Sequence, residues 1–202
     1  KKKLNFTIYD QKKLLKYFKK YKEFHFDWLL SLWNPNILPK VILRRFKKTL
    51  NFHPSFVPYC RGSDTAAWIL RSNTIAGVSL LEMNEKVDEG NFWLRKKIKY
   101  KFPITGIELQ NILKKELLDL FYKNWKKIYN NKIRSKKISS LAKGSKFTRK
   151  ETNIDRVKLL KKNKYLEKYI RWALAHEFGT RSKACLVIGK NRYLVSLNLK
   201  KV

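Results

Sequence analysis

The sequence predicts an α+β fold: a small antiparallel or mixed sheet with two to three long helices, its basic loop and termini extended. Three stretches carry that prediction. Residues 91–102, NFWLRKKIKYKF, alternate apolar and cationic side chains, as a strand with two unlike faces does. Thr105 and Glu108 stand at the head of an apolar series, Leu109, Ile112, Leu113, Leu117, Leu120, Phe121 and Ile128, which is the pattern of a capping box and an amphipathic helix. Residues 184–199, ACLVIGKNRYLVSLNL, read as a hairpin turning at Gly189, Lys190 and Asn191.

The other elements follow in chain order. Residues 4–9, LNFTIY, alternate and read as a strand. Asp10 is an N-cap residue for QKKLLKYFKKYKE, where Leu14, Leu15, Phe18 and Tyr21 share a helical face. Residues 24–40, with Trp28, Trp33, Pro35 and Pro39, read as an irregular aromatic connection, and 41–52 as a strand. HPSFVPY (53–59) reads as an extended loop, 74–83 as a buried strand and 84–91 as the turn after it. In 91–102, Phe92, Leu94, Ile98, Tyr100 and Phe102 share one face with Lys96, while Arg95, Lys97, Lys99 and Lys101 share the other. Asn130 and Asn131 end the long helix. Asn153 or Asp155 starts another, which runs to about Phe178 with Gly179 at its C′ position. The chain thus divides into an α+β domain over 1–129, a basic extension over 130–153, and a C-terminal helix and hairpin over 154–202.

The chain has 48 Lys and Arg against 15 Asp and Glu, a formal net charge of +33. Its apolar content of 44% is enough to build a core. Solubility alone needs a net charge of only about 2–8 in a small domain, so this excess points to a polyanionic partner. The stretch 131–150, NKIRSKKISSLAKGSKFTRK, carries Lys132, Arg134, Lys136, Lys137, Lys143, Lys146, Arg149 and Lys150 without one carboxylate. Its apolar residues keep no period, and ordering its backbone costs about 1–2 kcal/mol per residue. Alone in water it is expected to be unstructured, and to become ordered along phosphates. Arg44, Arg45, Lys47 and Lys48 form a second basic cluster, and Arg95, Lys97, Lys99 and Lys101 a third. These three sets are the candidate RNA-binding residues.

Other classes find little support. No uninterrupted apolar run reaches the ~18 residues of a spanning helix, and KKKLNFTIYD holds no apolar signal core. Cys60 and Cys185 imply no disulfide framework. There is no G-x-x-x-x-G-K-[ST], G-x-G-x-x-G or H-E-x-x-H pattern, and no spacing typical of a duplex-DNA reader. His25 lies between aromatics, His53 precedes a proline and His176 sits near a helix end; each reads as structural. Asp64 and the carboxylates at 82–89 could bind a metal in principle, but the latter read more simply as a turn. No catalytic residue, metal or cofactor is therefore expected, and no enzymatic activity.

A compact domain with KKKLNF (1–6), RRFKK (44–48), LRKKIKYK (94–101) and the acid-free stretch 131–150 resembles a ribosomal protein of the organellar kind. The resemblance implies a structural constituent of a mitochondrial ribosome, in the mitochondrial matrix. Its partners would be rRNA and neighbouring ribosomal proteins, with no DNA and no membrane span. The alternatives are a peripheral basic subunit of an organellar membrane complex and an RNA-processing enzyme.

Overall fold

The computed structural model describes residues 7–21, 23, 25–34, 36–102, 104–138, 141, 143–159, 166–179, 183–188 and 190–198. Residues 4–6 of the strand expected over 4–9, and Gly189 of the expected hairpin turn, lie outside the described residues, and residues 7–9 belong to no strand.

Helix α1 (Gln11–Lys20) begins where Asp10 accepts a hydrogen bond from the Lys13 backbone N–H at 2.8 Å. Leu14 and Phe18 turn inward against Leu38 and Ile42. Strand β1 (Phe26–Leu32) lies in the region read as an irregular connection, and the segment read as one strand over 41–52 divides. Pro39 caps a short helix α2 (Lys40–Leu43), and β2 (Phe46–His53) follows it, parallel to β1. Next come β3 (Arg61–Gly62), α3 (Thr65–Ser72) and β4 (Gly77–Leu81). Strand β5 (Phe92–Lys97) stops short of residue 102. It pairs with β4 through a register shift at Leu80 and Leu81, and adjacent Phe92 and Trp93 are both buried, in different clusters.

The long helix α4 (Gly106–Tyr129) has the expected cap. Thr105 Oγ1 accepts the Glu108 N–H at 3.2 Å, and Glu108 Oε2 accepts the Thr105 N–H at 2.7 Å. Beyond it lie β6 (Lys146–Phe147), α5 (Arg149–Arg156), β7 (Val157–Leu159), α6 (Leu166–Ala175), β8 (Ala184–Ile188) and β9 (Asn191–Val195). The helix read over 153–178 is therefore broken by β7. A second capping box, Thr148 with Glu151, starts α5 earlier than Asn153.

The fold is mixed α+β, with six helices among the described residues. Its main sheet has the order β1-β2-β4-β5, mixed because β1 and β2 are parallel and the other pairs antiparallel. Leu109, Leu113 and Leu117 of α4 are fully buried with Leu50, Val78 and Leu80 of the sheet and Ile69 of α3. Each such side chain contributes about 1.5–3 kcal/mol of apolar burial. Asp155 joins the C-terminal elements to α3: its Oδ1 accepts Arg71 Nε and its Oδ2 meets His176 Nε2, both at 3.1 Å.

Described residues of the acid-free stretch make contacts with this body. Lys136 exchanges two backbone hydrogen bonds with Phe92, and Ile138 is buried against Val57, Leu81 and Phe92. Strand β6 runs parallel to β3, and the Phe147 ring stacks on Trp68 at 3.8 Å with a 4° interplanar angle. These backbone bonds and ring contacts offset part of the ordering entropy.

Candidate active site

Strand β2 ends in Asn51, Phe52 and His53. Side chains two apart on a strand point the same way, so Asn51 and His53 share a face. Strand β4 runs antiparallel to β2, with Asn51 opposite Leu81 and His53 opposite Ser79. The loop leaving β4 therefore starts beside Asn51, and it returns Asp88 to the same place. Asp88 has φ +53°, a left-handed conformation that Asp tolerates better than most residues. Its Oδ2 accepts the Gly62 N–H at 2.8 Å. Its Oδ1 lies 3.4 Å from Asn51 Nδ2, which donates to it, and 3.6 Å from His53 Nδ1.

The His53 side chain is 4% exposed and that of Asp88 9%. The outer nitrogen of the imidazole, Nε2, is buried and meets no partner among the described residues. Native structures rarely leave a buried polar atom unpaired. His53 lines a cleft of about 560 Å³ with Asn51, Asp64 and Asp88, and with Trp33, Leu38, Met83 and Val87 as apolar wall. An imidazole backed by a carboxylate, beside an amide with a second N–H to offer, can move a proton and stabilise a developing oxyanion.

Two neighbours are not nucleophiles or free charges. Burial pushes the Cys60 thiol up to about 12, so it stays protonated. The hydrogen bond from Lys146 holds the Glu89 carboxyl below its usual range. Among the described residues, no three His, Cys, Asp or Glu side chains come together to hold a metal.

The structure scatters the expected RNA-binding residues. Arg44 and Lys47 are exposed, Lys47 paired with Asp27 at 2.9 Å. Arg45 and Lys48 are half-buried; Lys48 sits over the Trp28 and Trp93 rings and bonds Asn131. Arg95 donates to the Val57 carbonyl at 2.6 Å and lies over Phe56, while Lys97, Lys99 and Lys101 are exposed. Lys132, Arg134, Lys136, Lys137, Lys143 and Lys150 are exposed, and Lys146 and Arg149 reach the cleft wall. Asn51, His53 and Asp88 are absent from that set. The signal for the first two was N-x-H at a strand end; nothing local signals Asp88, which only the β2–β4 pairing brings back.

Residues 11–117 match the formyl transferase family. Methionyl-tRNA formyltransferase of Prochlorococcus marinus (strain MIT 9515) is 32% identical over 154 residues, 75% of this chain and 45% of that protein. This chain thus spans under half the length of that relative. A 4-N formyltransferase from Francisella tularensis superposes with a TM-score of 0.82 at 19% identity, over 96% of this chain and 78% of that one. An N-formyltransferase from Helicobacter canadensis, solved with folinic acid and dTDP-3-aminofucose, gives a TM-score of 0.64 at 25% identity, over 80% of this chain and 58% of that one.

These similarities overturn the ribosomal reading. The non-catalytic structural role, the partnership with rRNA and ribosomal proteins, and the alternatives of a membrane-complex subunit or RNA-processing enzyme give way to an enzyme family. The physical reason is that positive charge reports affinity for anions and says nothing of what the domain does to them. The chain belongs to the formyl transferase family.

Proposed function

We propose that this chain carries the chemical centre of a formyl transfer from a formylated tetrahydrofolate to the amino group of an aminoacyl-tRNA. The observation that carries the reading is His53, whose buried Nε2 meets no partner among the described residues and which lines the cleft together with Asn51 and Asp88. The Helicobacter relative was solved with a folate and an amino sugar nucleotide, and the Prochlorococcus relative is a methionyl-tRNA formyltransferase.

The residues present fit a folate donor. A cleft of about 560 Å³ is of the size that takes a small-molecule ligand, and Trp33, Leu38, Met83 and Val87 suit a flat heterocycle. The folate would supply the formyl carbon: an amine nitrogen bonds to it, its bond to the carrier nitrogen breaks, and one proton passes from amine to carrier. Asn51 Nδ2 offers an N–H where an acyl oxygen gains negative charge. His53 Nε2 holds the proton in transit, and Asp88 fixes the opposite edge of the imidazole. The closed surroundings of His53 and Asp88 keep water from competing.

The acceptor follows from charge. A net charge of +33 suits a tRNA with its many phosphates better than a sugar nucleotide with two. The exposed Lys132, Arg134, Lys143, Lys146 and Lys150 are proposed as its phosphate contacts. The test is turnover of formyl-tetrahydrofolate with methionyl-tRNA, and separately with a dTDP-amino sugar, read by mass spectrometry of the formylated product. Product with the tRNA, lost in His53→Ala, supports the reading. Product with the sugar alone would reassign the acceptor, and turnover unaffected by His53→Ala would sink the assigned centre.

A further inference from the structure

We propose that Asp64 receives the amino group to be formylated, and that Arg149 is the positioning residue that holds Asp64 for this task; the proposal rests on the formyl-transfer reading above. Asp64 lies in the cleft wall between β3 and α3, two residues beyond Gly62, whose N–H holds Asp88. Two Cα steps of about 3.8 Å keep it within roughly 8 Å of Gly62. It adopts φ +55° and precedes α3, yet its side chain makes no capping hydrogen bond to that helix. Its Oδ1 is taken by Arg149 Nη1 at 2.6 Å. Its Oδ2 is buried and meets no donor among the described residues.

Two residues of the cleft wall thus each carry a buried polar atom that meets no partner among the described residues. One is His53, its side chain 4% exposed; the other is Asp64, its carboxylate 14% exposed. A carboxylate oxygen kept from water costs free energy until a donor reaches it. Phosphate is repelled by it, and an acyl oxygen has no proton to give it. A primary amine satisfies both groups, since it donates an N–H to the carboxylate and can yield a proton to the imidazole. Asp64 is therefore assigned to the acceptor and not to the formyl donor.

Arg149 has a fixed base from which to reach. Thr148 Oγ1 accepts the Glu151 N–H at 3.2 Å, and Glu151 Oε2 accepts the Thr148 N–H at 2.6 Å. This capping box sets the backbone at the start of α5, one residue from Arg149. The guanidinium then leaves Oδ2, and not Oδ1, for the amine.

The test uses the full chain with formyl-tetrahydrofolate and methionyl-tRNA, and a binding arm without turnover. In that arm, calorimetry compares a 3′-aminoacyl-adenosine with its N-acetyl counterpart. Asp64→Asn is expected to raise the acceptor KM about ten- to hundredfold, the loss of one hydrogen bond to a charged group. The donor KM and the melting temperature should stay near their original values. Arg149→Gln should raise the acceptor KM by less, and Arg149→Lys should restore most of it. The native protein should favour the free amine over its N-acetyl form, and Asp64→Asn should lose that preference. An unchanged acceptor KM and amine preference in Asp64→Asn, or a rise confined to the donor KM, would overturn the proposal. Should Asp64→Asn fail to fold, the same unchanged result in Arg149→Gln overturns it. Because the binding arm needs no formyl transfer, absent turnover with an intact amine preference would indict the reaction and spare Asp64.

Discussion

Replacing Asp88 by Asn separates the chemistry of the site from its architecture. The carboxylate accepts the Gly62 N–H at 2.8 Å, and its other oxygen faces Asn51 Nδ2 at 3.4 Å and His53 Nδ1 at 3.6 Å. In Asp88→Asn the amide oxygen keeps the Gly62 bond, which drops from a charge-assisted to a neutral one, a loss of about 1 kcal/mol. For a chain of this length that lowers the melting temperature by roughly 2–4 °C. The amide NH2 then faces Asn51 Nδ2, which previously donated to that oxygen, and His53 Nδ1, which stands 3.6 Å from it. Asn51 must turn away, and His53 Nδ1 must become an acceptor. The imidazole proton is thereby driven to Nε2, which loses the lone pair it needs. Formyl transfer should fall about 10²–10⁴-fold, the usual worth of a positioned proton-transfer group. The assay is single-turnover formylation of methionyl-tRNA alongside thermal unfolding. Retention of more than a tenth of the rate with the small stability loss would refute the argument that Asp88 sets the imidazole.

Three further outcomes are expected. Gly62→Ala should lower stability by at least about 1–2 kcal/mol on backbone strain alone, since Gly62 sits at φ +92° and an added Cβ would lie 2.0 Å from the Phe147 carbonyl oxygen; chemical denaturation reads it. Thr105→Ala should cost about 1 kcal/mol, and the difference should shrink in acid. The Thr105 backbone N–H and then its hydroxyl hold the Glu108 carboxyl below 4.5, so this stabilisation is complete above that value and lost as pH falls through the lowered one. Cys60, its thiol pushed up to about 12 by burial, should resist iodoacetamide at pH 8 in the native state and react in urea; mass spectrometry of the modified peptides settles it.

What the sequence made legible were the elements whose partners are local. The Thr105–Glu108 box, the Asp10 cap and the β8–β9 pairing each join residues close in the chain, and each is found. The 41–52 stretch misled because its apolar residues serve two elements: Ile42 is buried from a helical turn, Leu50 and Phe52 from β2. Helix α3 went unread because Ala66, Ala67, Ile69 and Leu70 are buried nearly all round and leave no polar face to reveal a period. The site was illegible for a different reason. His53 before a proline and Asp88 in an acidic turn are ordinary readings of each residue alone. Their conjunction comes from the antiparallel return of β4 on β2, which local spacing does not encode.

The basic stretch and the candidate centre, which composition and motif searches treat separately, are joined by one short piece of backbone. Along β3 the Arg61 N–H donates to the Ser145 carbonyl and the Ser63 N–H to the Phe147 carbonyl, both at 3.0 Å, whereas Gly62 between them donates to Asp88 at 2.8 Å. The alternation of a strand thus gives one edge of β3 to the basic stretch and the other to the carboxylate behind His53. Glycine is required there because the Phe147 backbone passes where any Cβ would stand. Seating 143–147 therefore does more than place cations near a cleft. It aligns the donor that orients Asp88, so an interaction that pulled the basic stretch from β3 would be felt at the imidazole. The cations that suggest a polyanionic partner and the groups suited to formyl transfer are, in physical terms, parts of one assembly.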